Sequence, residues 1–260
     1  MSPIAAILHL ASGVATAAAM AVCMAPGVAS AAYYFETDFE SGLPSEITGV
    51  GNVEGTQGYG AYGFGQQFLR SAAASNQPIT LILTGLPAHA ALSLDFFLAI
   101  IDSWDGNDLG QTHPVVPDYL NITVDGTPIF SETFENSSNG GFATTQSYVP
   151  PSGVTLARYA DLGFGGGTPP YWVDSAYDMG LDTQFDSIAH TASTLTIQWF
   201  ANGAGWQGQE PGDESFAIDN LKITLLDQFG NAVPEPTTTA LFLGLAAMLP
   251  FMNRRRRPVG

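Results

Sequence analysis

The stretch Leu120-Asn121-Ile122-Thr123-Val124-Asp125-Gly126-Thr127-Pro128-Ile129-Phe130 decides the fold. β-branched and aromatic residues fill both arms, and Asp125-Gly126 stands between them. Asp-Gly accepts the left-handed backbone of a two-residue hairpin turn, whose twist matches that of the strands it joins. Outward from this hairpin the texture repeats. Residues 33–39, 64–69, 79–84, 91–101, 120–124, 127–134, 195–201 and 216–226 read as strands, separated by Gly, Pro, Asn and Asp. Residues 163–170 and 201–212 read as long loops. Away from the two chain ends, no stretch carries the 3.6-residue period of a capped amphipathic helix. Short, regularly spaced strands predict an all-β domain built as an antiparallel β-sandwich.

The last strand holds a conflict that is informative. In a regular strand Phe216 and Ile218 share one face, while Leu221, Ile223 and Leu225 share the other. Both sets need the core. A bulge near Asp219-Asn220 reconciles them and re-aims the Asp219 side chain. Acidic residues also gather at Asp102, Asp105 and Asp108, around Asn107. Repulsion within such a turn is relieved by solvent or by a cation. The spacing is not that of an EF-hand loop, because Gly106 stands at the fifth position and no Glu closes it.

The domain between the chain ends spans 32–232 and carries 23 acidic residues against Arg70, Arg158 and Lys222, a net charge of −20. This excludes a nucleic-acid or anionic-lipid partner and favours a cation, with calcium the natural one outside the cell. The sole cysteine, Cys23, lies before the domain, so no disulfide staples it.

Enzyme signatures are missing. There is no G-x-S-x-G elbow and no H-E-x-x-H. Gly58 to Gly63 match G-x-G-x-x-G, but no helix follows, so they read as a glycine-rich turn. Gly165-Gly166-Gly167 lacks the Lys-Ser/Thr of a phosphate loop. His89, His113 and His190 stand far apart with different neighbours. Trp206 and Trp172 lie in loops and are the candidates for stacking on a sugar, with core packing the competing role.

The two ends carry addresses. Residues 1–31 read as a secretory signal peptide, apolar from Ile4 to Met24 and closing on Ala29-Ser30-Ala31, although no Lys or Arg precedes the apolar run. Residues 233–260 hold Val233-Pro234-Glu235-Pro236, an apolar run from Thr237 to Met252, and Arg254-Arg255-Arg256-Arg257. The prolines keep the motif extended. The apolar run is short for a full membrane span, and the arginines stop transfer. This order resembles the PEP-CTERM sorting signal of exported bacterial proteins, with Pro250 inside the anchor as a departure. The resemblance implies Pro234, Glu235 and Pro236 as the recognised motif, and Arg254, Arg255, Arg256 and Arg257 as the stop. It further implies an exosortase, a membrane-embedded cysteine transpeptidase, as processing partner. Transit through the inner membrane to the surface or exopolysaccharide matrix of a Gram-negative bacterium follows from it.

Three motifs in the domain resemble jelly-roll modules of secreted bacterial proteins and carbohydrate-binding modules. They are Phe39-Glu40-Ser41-Gly42-Leu43, Asp102-Ser103-Trp104-Asp105-Gly106, and Asp213 to Asn220. The resemblance implies a structural calcium joining first strand to last, with Glu40 and Asp219 as ligands and Asp38, Asp102, Asp105 and Asp213 behind them. The resulting expectation is a non-catalytic surface module, structural or polysaccharide-binding. The alternative is an exported polysaccharide-active enzyme on the same scaffold, for which facing buried carboxylates in a groove are the signature.

Overall fold

The hairpin forms as read, Tyr119–Val124 against Thr127–Thr133, with Asp125 and Gly126 both at positive φ in the turn. The computed structural model describes residues 33–71, 77–104, 106–107, 117–136, 146–164, 172–203, 206 and 214–234. Its strands are β1 (Phe35–Thr37), β2 (Ile47–Gly49), β3 (Gly51–Gly55), β4 (Gln67–Ser71), β5 (Ile79–Thr84), β6 (Ala91–Ile101), β7 (Tyr119–Val124), β8 (Thr127–Thr133), β9 (Thr155–Ala160), β10 (Asp174–Asp178), β11 (Ile188–Ala189), β12 (Thr194–Asn202) and β13 (Ser215–Leu226).

They form two sheets. The larger has eight strands, ordered β3-β4-β13-β6-β10-β9, with β1 also on β13 and β11 also on β6. The smaller has five, ordered β2-β5-β12-β7-β8. Every pairing is antiparallel. The fold is an antiparallel β-sandwich of the jelly-roll kind, in which the chain passes back and forth between the sheets.

The core lies between the sheets and follows strand alternation. Leu92, Leu94, Phe96, Leu98 and Ile100 of β6 face Leu195, Ile197, Trp199 and Ala201 of β12 across a shared cluster. The register of β13 against β6 shifts between Asp219 and Lys222, and Asn220 sits at φ 49°. That bulge puts Phe216, Ile218, Leu221, Ile223 and Leu225 into the same cluster, which no regular strand does.

A second apolar cluster lies on the far face of the large sheet. Ala99 and Ile101 of β6, Ala176 of β10 and Ala217 of β13 are covered there by Tyr59, Phe64, Phe68 and Leu162. The cover is the glycine-rich segment. It forms a 3-10 helix over Gln57–Tyr62 rather than the turn expected from sequence, and the Tyr59 hydroxyl donates to the Ile100 carbonyl at 3.1 Å. Small residues beneath let a backbone segment lie flat on the sheet.

Five strands, β2, β3, β9, β10 and β11, escape the sequence reading. β2, β3 and β11 are short and contain glycine or few β-formers. β10 is Asp-Ser-Ala-Tyr-Asp and becomes a strand because β6 and β9 flank it. β4 starts at Gln67 instead of Phe64, because the backbone N–H groups of Gly65 and Gln66 are taken by carboxylates. The signal peptide lies outside the described residues, as does the sorting tail from Glu235 on. No helix among the described residues is long and apolar enough to cross a membrane.

Candidate functional site

Glu40 follows β1 and Asp219 lies in β13, and the structure brings both to one loop. Asp219 Oδ2 accepts from Gly65 N at 2.8 Å. Glu40 Oε1 accepts from Gln67 N at 3.0 Å and also from Gln66 N. Space is tight: a Cβ added to Gly65 falls 2.2 Å from Glu40 Oε1. The bulge aims Asp219 at the outer face of the sheet, yet the side chain is fully buried beneath this loop. Burial first, then the nearby Glu40 and Asp38 charges, push its carboxyl up to about 6 against the pull of the Gly65 and Asn220 N–H groups. Asp38 is exposed beside it, and its Oδ1 accepts from Glu40 N at 3.2 Å. A groove of about 360 Å³ opens alongside, lined by Glu36, Thr37, Asp38, Asn220 and Lys222.

No salt bridge among the described residues reaches Glu40 or Asp219. A buried carboxylate facing a second one without a counter-charge is an arrangement that a divalent cation relieves. These residues therefore fit the calcium that the resemblance implies. Among the described residues no group of three or more acidic, His or Cys side chains is gathered tightly enough to hold a metal.

Asp102 does not join this pair. It follows β6, whose Phe97 stands opposite Asp219, so five residues and roughly 16 Å of strand separate them. Asp102 is nearly buried at φ 63° and donates its backbone N–H to Asp174 Oδ1 at 3.1 Å. Its place is a structural turn. Asp105 and Asp213 lie outside the described residues. Trp172 is half-buried. Trp206 packs on Trp104, ring centres 5.4 Å apart, with its indole nitrogen buried, so it lies against the core. Pro234 is exposed at the end of the described chain, and Glu235, Pro236 and the four arginines lie outside it.

The sequence did not single out the outer face of the small sheet. The alternation that buries Leu195, Ile197, Trp199 and Ala201 turns Thr196, Gln198, Phe200 and Asn202 of β12 outward. Phe200 stands opposite Asn121, and Asn202 opposite Tyr119. Gln198 stands opposite Thr80 on one side and Thr123 on the other. Asn121 ties the rows together: its Nδ2 donates to Asn202 Oδ1 at 2.9 Å, and its Oδ1 accepts from Ser131 Oγ at 2.8 Å. Across β5, β12 and β7 the outward positions carry hydroxyls, amides, two aromatic rings and the exposed Ile82, and no charge, while Thr123 among them is buried.

The outer face of the large sheet is different. Asp95 of β6 and Asp178 of β10 are diagonal neighbours there, since Asp178 pairs with Phe97. Burial holds both carboxyls above the ordinary range. For Asp95 the Asp186 and Asp178 charges add to this, and Lys222, directly opposite in the register, opposes it.

No family model matches the chain, and no curated protein does. Among solved structures it is similar to the CBM22-1 xylan-binding domain from Paenibacillus barcinonensis Xyn10C, at 14% identity and a TM-score of 0.35 over 76% of this chain and 97% of that one. The K2 cleaved adhesin domain of Lys-gingipain matches at 15% identity and 0.35, over 74% and 97%. The family GH115 4-O-methyl-alpha-glucuronidase BtGH115A matches at 10% and 0.34, over 78% of this chain and 19% of that one. Likeness at this level assigns neither a family nor a ligand.

Proposed function

We propose that this chain is an exported, non-catalytic surface module that binds a neutral polysaccharide on the outer face of its five-stranded sheet. The observation that carries the reading is the charge-free row of Thr80, Gln198, Phe200, Asn121, Asn202 and Tyr119 on a domain of net charge −20. Hydroxyls and amides exchange hydrogen bonds with sugar hydroxyls, and aromatic rings cover the apolar faces of the sugar rings. A uronic-acid chain is disfavoured by the field of the domain as a whole. The test is an array of neutral and uronate polysaccharides. Binding is expected on neutral members, with Phe200→Ala weakening it about tenfold, near 1.4 kcal/mol, and leaving the melting temperature almost unchanged. Undiminished binding by both Phe200→Ala and Tyr119→Ala sinks the assignment to this face.

The alternative, polysaccharide cleavage, has Asp95 and Asp178 in its favour, two half-buried carboxylates on neighbouring strands. The same array decides it: reducing ends that appear with wild type and vanish with Asp95→Asn make the protein an enzyme.

Delivery is part of the proposal. The signal peptide over 1–31 and the Pro234-Glu235-Pro236 tail support export, processing by an exosortase, and residence at the cell surface or in the matrix. Glu235→Ala is then expected to leave the protein in the inner membrane. Intact mass of surface-extracted wild type is the check, and a mass that still includes Arg254 to Arg257 overturns the processing step. Calcium held by Glu40 and Asp219, with Asp38 beside them, is the proposed structural ion.

A further inference from the structure

His89 and His190 are 101 residues apart in sequence and touch in the fold. His89 Nε2 lies 2.6 Å from His190 Nδ1. The ring centres are 4.9 Å apart and the planes within 16°, so the rings meet edge to edge, nitrogen pointing at nitrogen. Their outer nitrogens face acceptors alone. His89 Nδ1 is 2.6 Å from the Pro87 carbonyl, and His190 Nε2 is 3.0 Å from Asp125 Oδ2 and 3.2 Å from the Thr194 carbonyl. Carbonyls and ionised carboxylates have no hydrogen to give, so both outer nitrogens must carry one. A neutral imidazole has a single N–H. Two neutral rings would therefore confront two bare lone pairs at the inner contact. The contact becomes a hydrogen bond only when a third hydrogen lies between them, and three hydrogens on two rings make one imidazolium and one imidazole.

We propose that His89 and His190 hold one shared proton, and that this proton is a pH-sensitive clasp between the two sheets. His89 lies where the chain crosses from β5 of the small sheet to β6 of the large one. His190 lies where it returns from β11 to β12. The two crossings also bond through Leu86 N to Ser193 O at 3.0 Å and His190 N to Ala90 O at 3.3 Å. Asp125 brings in the β7–β8 turn, anchored by Thr196 N to its Oδ1 at 2.8 Å. A cavity of about 340 Å³ beside the pair is lined by Val124, Thr127, Ile129 and Ile188 as well as Asp125 and His190. Asp125 is the charged group facing the pair. The segments 84–91 and 188–194 contribute no ionisable side chain other than the two histidines themselves.

The sign follows from proton linkage. The folded clasp keeps a proton that unfolded imidazoles release above roughly pH 6.5. Below that pH the two unfolded rings carry up to two protons against the one of the clasp, so its contribution is greatest at about pH 6.5 and is lost as the pH rises above it. The experiment is a series of melts of the full protein, calcium present, from about pH 6.5 to 9, for wild type, His89→Gln and His190→Gln. Wild type is expected to lose about 3 °C more than either variant across that range. The comparison cancels Asp219, which all three proteins share. A second measurement needs no variant: nitrogen-15 spectra of the wild-type imidazoles at pH 6 are expected to show three N–H groups on the pair. Parallel melting curves, or two N–H groups at pH 6, overturn the clasp. So does zinc stabilising wild type but neither variant, since a metal would then occupy the contact.

Discussion

Removing calcium with a chelator is expected to lower the melting temperature by several degrees, and Asp219→Ala is expected to abolish that response. Glu40 follows the first strand, Asp219 lies in the last, and they meet at Gly65 to Gln67. A cation between them ties three segments that otherwise repel. A ligand that binds only the folded state adds about 2.7 kcal/mol at a hundredfold excess over its dissociation constant. At about 2–4 °C per kcal/mol for a domain of this size, the shift is roughly 5–10 °C. The pH dependence has a definite sign. Burial raises the folded Asp219 carboxyl to about 6, so without metal its contribution is greatest below the ordinary carboxylate range and is lost as the pH climbs through 6. Calcium needs the ionised form, so its stabilisation grows over the same interval. Melts at pH 4.5 and 7.5, with and without calcium, read both effects. If sodium at matched ionic strength restores stability as well as calcium does, the effect is screening of the −20 charge and the site is absent.

Trp104→Ala is expected to cost about 3–5 kcal/mol, the range for emptying a large buried aromatic site. Trp104 is fully buried, its Nε1 donates to the Ser215 carbonyl at 2.9 Å, and its ring meets Phe134 edge-on at 5.8 Å. Its loss opens a cavity, leaves the Ser215 carbonyl unpaired and removes the floor beneath Trp206. Denaturant unfolding measures the loss. Trp206→Ala, half-buried above it, is expected to lose less, with polysaccharide binding unchanged in both. A Trp104→Ala protein within about 1 kcal/mol of wild type contradicts the packing described here.

The sandwich was legible because its information is local. Asp125-Gly126 names a turn, and the conflicting faces of Phe216 to Leu225 name a bulge that the structure contains. The strands β2, β3, β9, β10 and β11 were illegible because their neighbours make them strands. Asp174, Ser175 and Ala176 have weak strand preference and are fully buried only through β6 and β9. Glu40 and Asp219 were singled out through the resemblance together with the bulge, and the structure brings the two carboxylates to one loop. The uncharged face was missed because it is a property of three strands in register, and no single strand displays it. The histidine pair was missed for the same reason: nothing near His89 in the sequence points to residue 190.

The position of β13 has a kinetic consequence. The last strand pairs with β1, β4 and β6, in the middle of the large sheet. A chain made from its N-terminus that has not yet supplied residues after 214 has β3–β4 on one side of a gap and β6–β10–β9 on the other. Loop closure across that gap joins residues more than a hundred positions apart, which makes for high contact order and slow folding. Until then β4 and β6 present bare edges and half the core stays wet. The domain is thus held unfinished until its final strand arrives, and a truncation just short of β13 leaves an aggregating fragment rather than a smaller domain.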